Sequence, residues 1–226
     1  MLHSSEYLQD ESKWSRLFKS HEIPFKQNWP LHLMIIAFLI VWVLTAINPV
    51  DRKDWMLENG LLFAAIGVLA LLYRTFKFNN ISYLFITIFL IMHAIGAHYA
   101  YKTTPLDDWF KQVFHTKRGI YDRIVHFGFG LLIAYPVREI AFRIIGLRKV
   151  WLYFVIFITI LASHALFEIG ELCVALIADP KLAAKYLGLQ GDPLDTMKDM
   201  SMNLIGAILS ISLMIWFRYM KHRRRA

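Results

Sequence analysis

Three stretches of the chain carry ionisable residues at intervals of three and four within otherwise apolar sequence. Asp122 and His126 are four apart in "YDRIVHFGFGLL". His164, Glu168 and Glu171 follow one another in "SHALFEIGELC". Asp195, Asp199 and Asn203 are spaced in the same way in "GDPLDTMKDMSMN". Such intervals place side chains on one face of an α-helix, so each stretch predicts one polar stripe. His93 and His98, in "MHAIGAHYAY", add two imidazoles five residues apart. A straight helix does not aim both at one point, although Gly96 between them allows a local distortion. Imidazole with carboxylate and no thiolate is a ligand set for Zn²⁺, Mn²⁺ or Fe²⁺, and a larger carboxylate share suits Mg²⁺ or Ca²⁺. Without a cation among them, such groups at low dielectric repel one another or neutralise. Proton relays and ion-pair networks are the other chemistries open to them.

The elements that position these residues are membrane spans. The chain has 226 residues, 57% of them hydrophobic, and a mean hydropathy of +0.44. Residues 27–50 and 78–101 hold no Asp, Glu, Lys or Arg, and neither do 150–167 and 200–217. A helix crossing a hydrocarbon core needs about 20 such residues. Six spans fit: 30–49, 56–74, 80–101, 121–139, 150–178 and 196–218. The expected fold is all-α, a polytopic six-helix transmembrane bundle forming one membrane domain over 1–226. A polar lead-in occupies 1–29, the bundle 30–218, and a basic tail 219–226. Tyr7, Trp14, Leu17 and Phe18 give the lead-in enough apolar character for a short amphipathic helix on the membrane surface. No cleaved signal peptide is expected. Cys173 is the single cysteine, so an internal disulfide or a cysteine metal cluster is excluded.

Six spans bring both termini to one side. Fifteen of the 25 Lys and Arg residues then fall on that side, and the positive-inside rule makes it cytoplasmic. The formal charge of +8 reflects bases at helix ends and in the tail, so it is no sign of nucleic-acid binding. With this orientation His93, His98, Asp122, Arg123, His126, His164, Glu168, Glu171, Asp195 and Asp199 all fall in the outer halves of their spans, joined by Glu58. The inner halves are expected to hold almost no ionisable groups. A carboxylate facing lipid costs roughly 2.5–3.5 kcal/mol, so the stripes must turn inward onto a shared pocket. Gly128, Gly130 and Gly206 allow the close helix approach such a pocket needs.

The stretches "DWMLENG", "MHAIGAHYAY", "YDRIVHFGFG", "SHALFEIGE" and "QGDPLDTMKDMSMNLIGA" together resemble the YjdF-type family of bacterial inner-membrane proteins. The resemblance implies an inner-membrane location and a helical bundle, without a particular reaction. A fainter similarity to VanZ-like membrane proteins rests on Asp122, His126, Phe127, Glu168, Asp199, Asn203 and Gly206. Arg123, where that group usually has Lys, Glu171, where it usually has Gln, and the added His93 and His98 depart from its pattern.

The pattern suits a metal-dependent membrane enzyme acting on a lipid or lipid-linked envelope substrate, with hydrolysis as the expected reaction. His98, His126, Glu168 and Asp199 are the leading candidate ligands, with His93 and His164 beside them. Asp122 or Asp195 would act as general base or orient a ligand histidine. Arg123 would pair with a carboxylate or meet an anionic headgroup. A proton- or ion-coupled transporter is the alternative, against which stand the apolar inner halves and the lack of an internal repeat. A non-catalytic envelope protein, its polar network fixing helix packing, is the third reading. The sequence leaves oligomeric state open.

Overall fold

The computed structural model describes residues 20–177 and 194–223, and all regular structure among them is helical. Two short 3₁₀ turns, Ser20–Glu22 and Phe25–Gln27, lead into α1 (Trp29–Ala46). Then come α2 (Arg52–Leu72), α3 (Asn80–His98), α4 (Pro105–Phe114), α5 (Tyr121–Arg143), α6 (Lys149–Ile177) and α7 (Asp195–Arg223). All but α4 are long and apolar enough to cross a membrane. The expected amphipathic lead-in over residues 1–19, Asp192 in the stretch before α7, and the last three residues of the tail lie outside the described residues. Six crossings leave the start of α1 and the end of α7 at the same end of the bundle, hereafter the proximal end.

Local signals explain where the helices depart from the expected spans. Asp51 caps α2 by accepting from the backbone N–H groups of Lys53 and Asp54 at 2.9 and 3.1 Å, so the helix begins four residues earlier than 56. A carboxylate there satisfies orphan donors of the first turn. Helix α3 stops at His98 because Ala100 and Tyr101 take left-handed φ of 50° and 53°. The 102–120 connection contains a helix the span pattern did not include. Thr104 and Asp107 form a capping box and Pro105 starts α4, each favourable at a helix N-terminus. Trp109, Val113 and Phe114 are exposed on α4, a composition suited to the headgroup layer.

Helix α5 is the centre of the bundle, packing against α3, α6 and α7. Its tightest crossing is with α7. A Cβ at Gly130 would run into the backbone of Asn203 and Ala207, and one at Gly206 into the Phe127 carbonyl. Only glycine lets these two backbones approach so closely. Below the crossing, Ala134, Ala141, Leu152, Ile156, Ile160 and Ala207 form a buried apolar cluster. Leu33, Ile36, Leu39 and Ile40 of α1 stand exposed on the outside, as a lipid-facing surface requires.

The proximal end is more polar than expected. Glu139, 4% exposed, accepts from the Asn79 N–H at 3.0 and 3.1 Å and from Ser82 Oγ at 2.5 Å. Arg143, one turn on, pairs with it and also donates to the Lys77 carbonyl at 2.7 Å. Asn28 and Asn80 exchange two amide hydrogen bonds of 2.9 Å. The expectation of almost no ionisable groups in the inner halves is therefore corrected: the helix 5 span continues to Arg143, and its last turns bring an acid and a base inside.

Candidate functional site

The distal ends of the helices enclose a cavity of about 300 Å³. Helix α2 contributes Asp54 and Glu58, α3 His93, α5 Asp122 and His126, α6 His164, Glu168 and Glu171, and α7 Asp195, Thr196 and Asp199. Tyr101 and Lys102 reach it from the segment after α3. Further along the walls lie Leu61, Leu62, Ala65, Phe89, Leu90, Val125, Phe129 and Phe167, so the cavity is polar at one end and apolar at the other.

The helical stripes read from sequence face this cavity, except for Asn203, which is fully buried outside it and donates to the Ile160 carbonyl at 3.4 Å. On α5, His126 Nε2 lies 3.4 Å from Asp122 Oδ1. On α6, His164 Nε2 lies 3.0 Å from Glu168 Oε1, and Thr196 of α7 donates to Glu168 Oε2 at 2.9 Å. The His126 and His164 rings meet edge to face with centroids 4.7 Å apart, which joins the two pairs. One ligand atom each from Asp122, His126 and Asp199 lies within 4.8 Å of the others. An ion with bonds of about 2.0–2.2 Å needs its ligand atoms within about 4.4 Å of one another, so side-chain rotations would be needed for this trio to hold one. Glu168 and His164 stand beside the trio, on the neighbouring helix.

Two arginines balance the acids of α5 and α7. Arg118 pairs with Asp195, with Asp122 at 3.1 Å and with Asp199 at 3.8 Å. Arg123 lies 3.8 Å from both Asp195 and Asp199. Burial works against the Arg118 charge, but the hydrogen bond and charge of Asp195, with Asp122 and Asp199, leave its pKa above the ordinary range. The carboxylates still outnumber these bases. Among the described residues, Asp54, Glu58, Asp122, Glu168, Glu171, Asp195 and Asp199 line the cavity with one lysine, Lys102, and the two arginines lie behind α7's acids.

Three expectations change. His98 does not reach the cavity: its Nδ1 contacts the Thr45 carbonyl at 2.8 Å and its ring packs on Tyr99. The five-residue interval turns it toward α1, so its assignment as a leading metal ligand is withdrawn. His93 does line the cavity, but both its ring nitrogens contact protein groups, Tyr101 Oη at 2.6 Å and the Glu58 carbonyl at 3.2 Å. Arg123 lies against α7's carboxylates and does not line the cavity, which removes the headgroup role and keeps the salt-bridge role. Gly96 serves neither histidine through distortion; it makes room for the Tyr101 ring, which any Cβ there would strike.

Sequence reasoning missed Arg118, Tyr101, Lys102 and Asp107. Arg118 was readable as the residue one turn before Asp122, had helix 5 been extended back through its lead-in. Asp107, fully buried, organises that lead-in. Its Oδ1 accepts from the Ile120 and Tyr121 N–H groups at 2.7 and 2.8 Å, and its Oδ2 from Thr104 at 2.8 and 3.0 Å. Gly119 has no side chain because a Cβ would occupy the Asp107 carboxylate. The start of α5, and with it Arg118 and Asp122, is thus held by one carboxylate from α4.

Residues 30–222 match the family described as "Predicted membrane protein (DUF2238)", a range that includes all six spans and every cavity residue. The chain is also similar to "Inner membrane protein YjdF" of Escherichia coli (strain K12), with 27% identity over 195 residues, covering 86% of this chain and 93% of that protein. The fainter VanZ-like similarity is carried by neither finding. No solved structure matches. Six apolar spans around a distal polar cavity, matched from the first span to the last, make this chain a member of the DUF2238 family of membrane proteins.

Proposed function

We propose that the chain is a metal-dependent membrane enzyme, a hydrolase that acts on a lipid or lipid-linked envelope substrate at the outer leaflet of the bacterial inner membrane. One observation carries this reading: Asp122, His126 and Asp199 offer ligand atoms within 4.8 Å of one another on the wall of a cavity rich in carboxylates. Buried acids in such number keep their charge only with a cation among them. Imidazole with two carboxylates and no thiolate suits Zn²⁺, Mn²⁺, Fe²⁺ or Mg²⁺. A bound ion would lower the pKa of a coordinated water toward neutrality and supply a nucleophile. Glu168, oriented by His164 and Thr196, is placed to take a proton near the trio. Asp195 holds Arg118 and so has a positioning role.

A lipid substrate is supported by the walls. Helices α2 and α6 both line the cavity, yet they are not among the closely packed helix pairs of the described residues. A substrate with an acyl chain would match the apolar side chains Leu61, Leu62, Ala65, Phe89 and Phe129 in the cavity wall. The location is supported by the name of the E. coli relative, and the outward direction of the cavity by the excess of Lys and Arg at the proximal side.

Elemental analysis of the purified protein tests the reading. Near-stoichiometric Zn, Mn, Fe or Mg is expected, falling at least tenfold in His126→Ala with the folded yield unchanged. A wild-type protein without bound metal, or metal content indifferent to His126→Ala, would sink it. Ion uptake into proteoliposomes that stops in Glu168→Gln would favour transport instead.

A further inference from the structure

On the α2–α3 side of the cavity, Glu58, His93 and Tyr101 form a connected set apart from Asp122, His126 and Asp199. Tyr101 Oη lies 2.6 Å from His93 Nδ1. His93 Nε2 lies 3.2 Å from the Glu58 backbone oxygen and 3.9 Å from its carboxylate Oε2. A carbonyl can only accept, so Nε2 carries the imidazole proton. Nδ1 is then the acceptor, and the short contact has one direction: Tyr101 donates to His93. Burial pushes the Tyr101 phenol well above its ordinary pKa, which keeps the proton available to donate.

The backbone presents this phenol deliberately. Ala100 and Tyr101 both take left-handed φ, 50° and 53°. The Tyr101 ring lies where any side chain at residue 96 would stand, and that residue is Gly96. Strained backbone that persists beside a cavity is characteristic of positions held for chemistry. The Glu58 side chain is only 7% exposed, lines the same cavity and stands 3.9 Å from the His93 ring nitrogen.

We propose that Tyr101, His93 and Glu58 form a proton-transfer triad that deprotonates a hydroxyl group bound in the cavity, either an alcohol of the substrate or the attacking water. Tyr101 Oη accepts the hydroxyl proton as its own proton passes to His93 Nδ1. One proton leaves the bound group, one arrives on the imidazole, and Tyr101 ends unchanged. The Nε2 proton stays directed at the Glu58 backbone carbonyl, and the Glu58 carboxyl group 3.9 Å from Nε2 adds to the support of the imidazolium, a looser arrangement than in other catalytic triads, where the carboxylate itself accepts from the ring. The hydroxyl-bearing lipid as substrate class rests on the function proposed above; the triad itself does not require the metal.

An aryl sulfonyl fluoride, reacted with the full-length protein in detergent, tests the triad without knowledge of the substrate. The reaction joins Tyr101 Oη to sulfur, breaks the S–F bond, releases fluoride and passes the phenol proton to His93. Peptide mass spectrometry should find Tyr101 modified ahead of the other nine tyrosines. His93→Gln should slow that modification by roughly 10²-fold, the usual contribution of a general base. Glu58→Gln should slow it less. An inert Tyr101, or equal rates in wild type and Glu58→Gln, would overturn the triad even if His93→Gln fails to fold. Metal measured on the same samples separates the two readings. Metal-free protein with a reactive Tyr101 sinks the metal reading alone, and metal lost in His93→Gln makes His93 a ligand and overturns the triad.

Discussion

Both ends of the bundle bury carboxylates beside arginines, and they do opposite things with them. At the proximal end Glu139 meets a backbone N–H, the Ser82 hydroxyl and Arg143, and the surrounding residues close over it. At the distal end Asp122, Glu168, Asp199 and their neighbours surround open space. The residue types are alike, and the difference lies in where the donors come from. A helix N-terminus aimed at Glu139 fills its acceptor sites, which makes it a clasp between α3 and α5. The distal acids border open space instead, and it is the function proposed above that puts a cation among them. A buried charge is therefore weak evidence of function until its partners are counted.

The largest effect expected from breaking this contrast is at the clasp. Glu139→Ala should destabilise the protein by about 3 kcal/mol, toward the low end for removing one partner of a buried pair because Arg143 is partly hydrated. Thermal or denaturant unfolding in detergent would read it. Gly130→Ala should follow, at about 1–3 kcal/mol, since overpacking must push α7 away from α5; on the function proposed above, metal content should fall with it, because Asp199 rides on α7. Glu171→Gln should change stability by under about 0.5 kcal/mol or raise it, since it thins the crowd of carboxyl groups lining the cavity. If Glu171→Gln proves as damaging as Glu139→Ala, the two ends are both structural and the contrast fails.

The same contrast explains what could be read in advance. Periodicity placed Asp122 with His126 and His164 with Glu168, because a helix face is set by local spacing alone. It placed all six spans, because span length is set by the bilayer. It could not place His98, whose direction depends on where α1 passes, nor Arg123, which turns to α7's acids. It passed over Arg118 and Tyr101, which sit in connections where no period exists. It understated the proximal end, because Arg143 lies beyond the expected end of that span and the other partners of Glu139, a backbone N–H and a serine, carry no charge to notice.

The Asp107 and Gly119 pair constrains how this chain can change over generations. The carboxylate occupies the volume that any side chain at residue 119 would need, and it holds the two N–H groups that open α5. A substitution at Gly119 evicts the carboxylate, and a substitution at Asp107 leaves two donors bare while making room at 119. Neither first step is neutral, so a tolerated change at one of these two positions needs a matching change at the other.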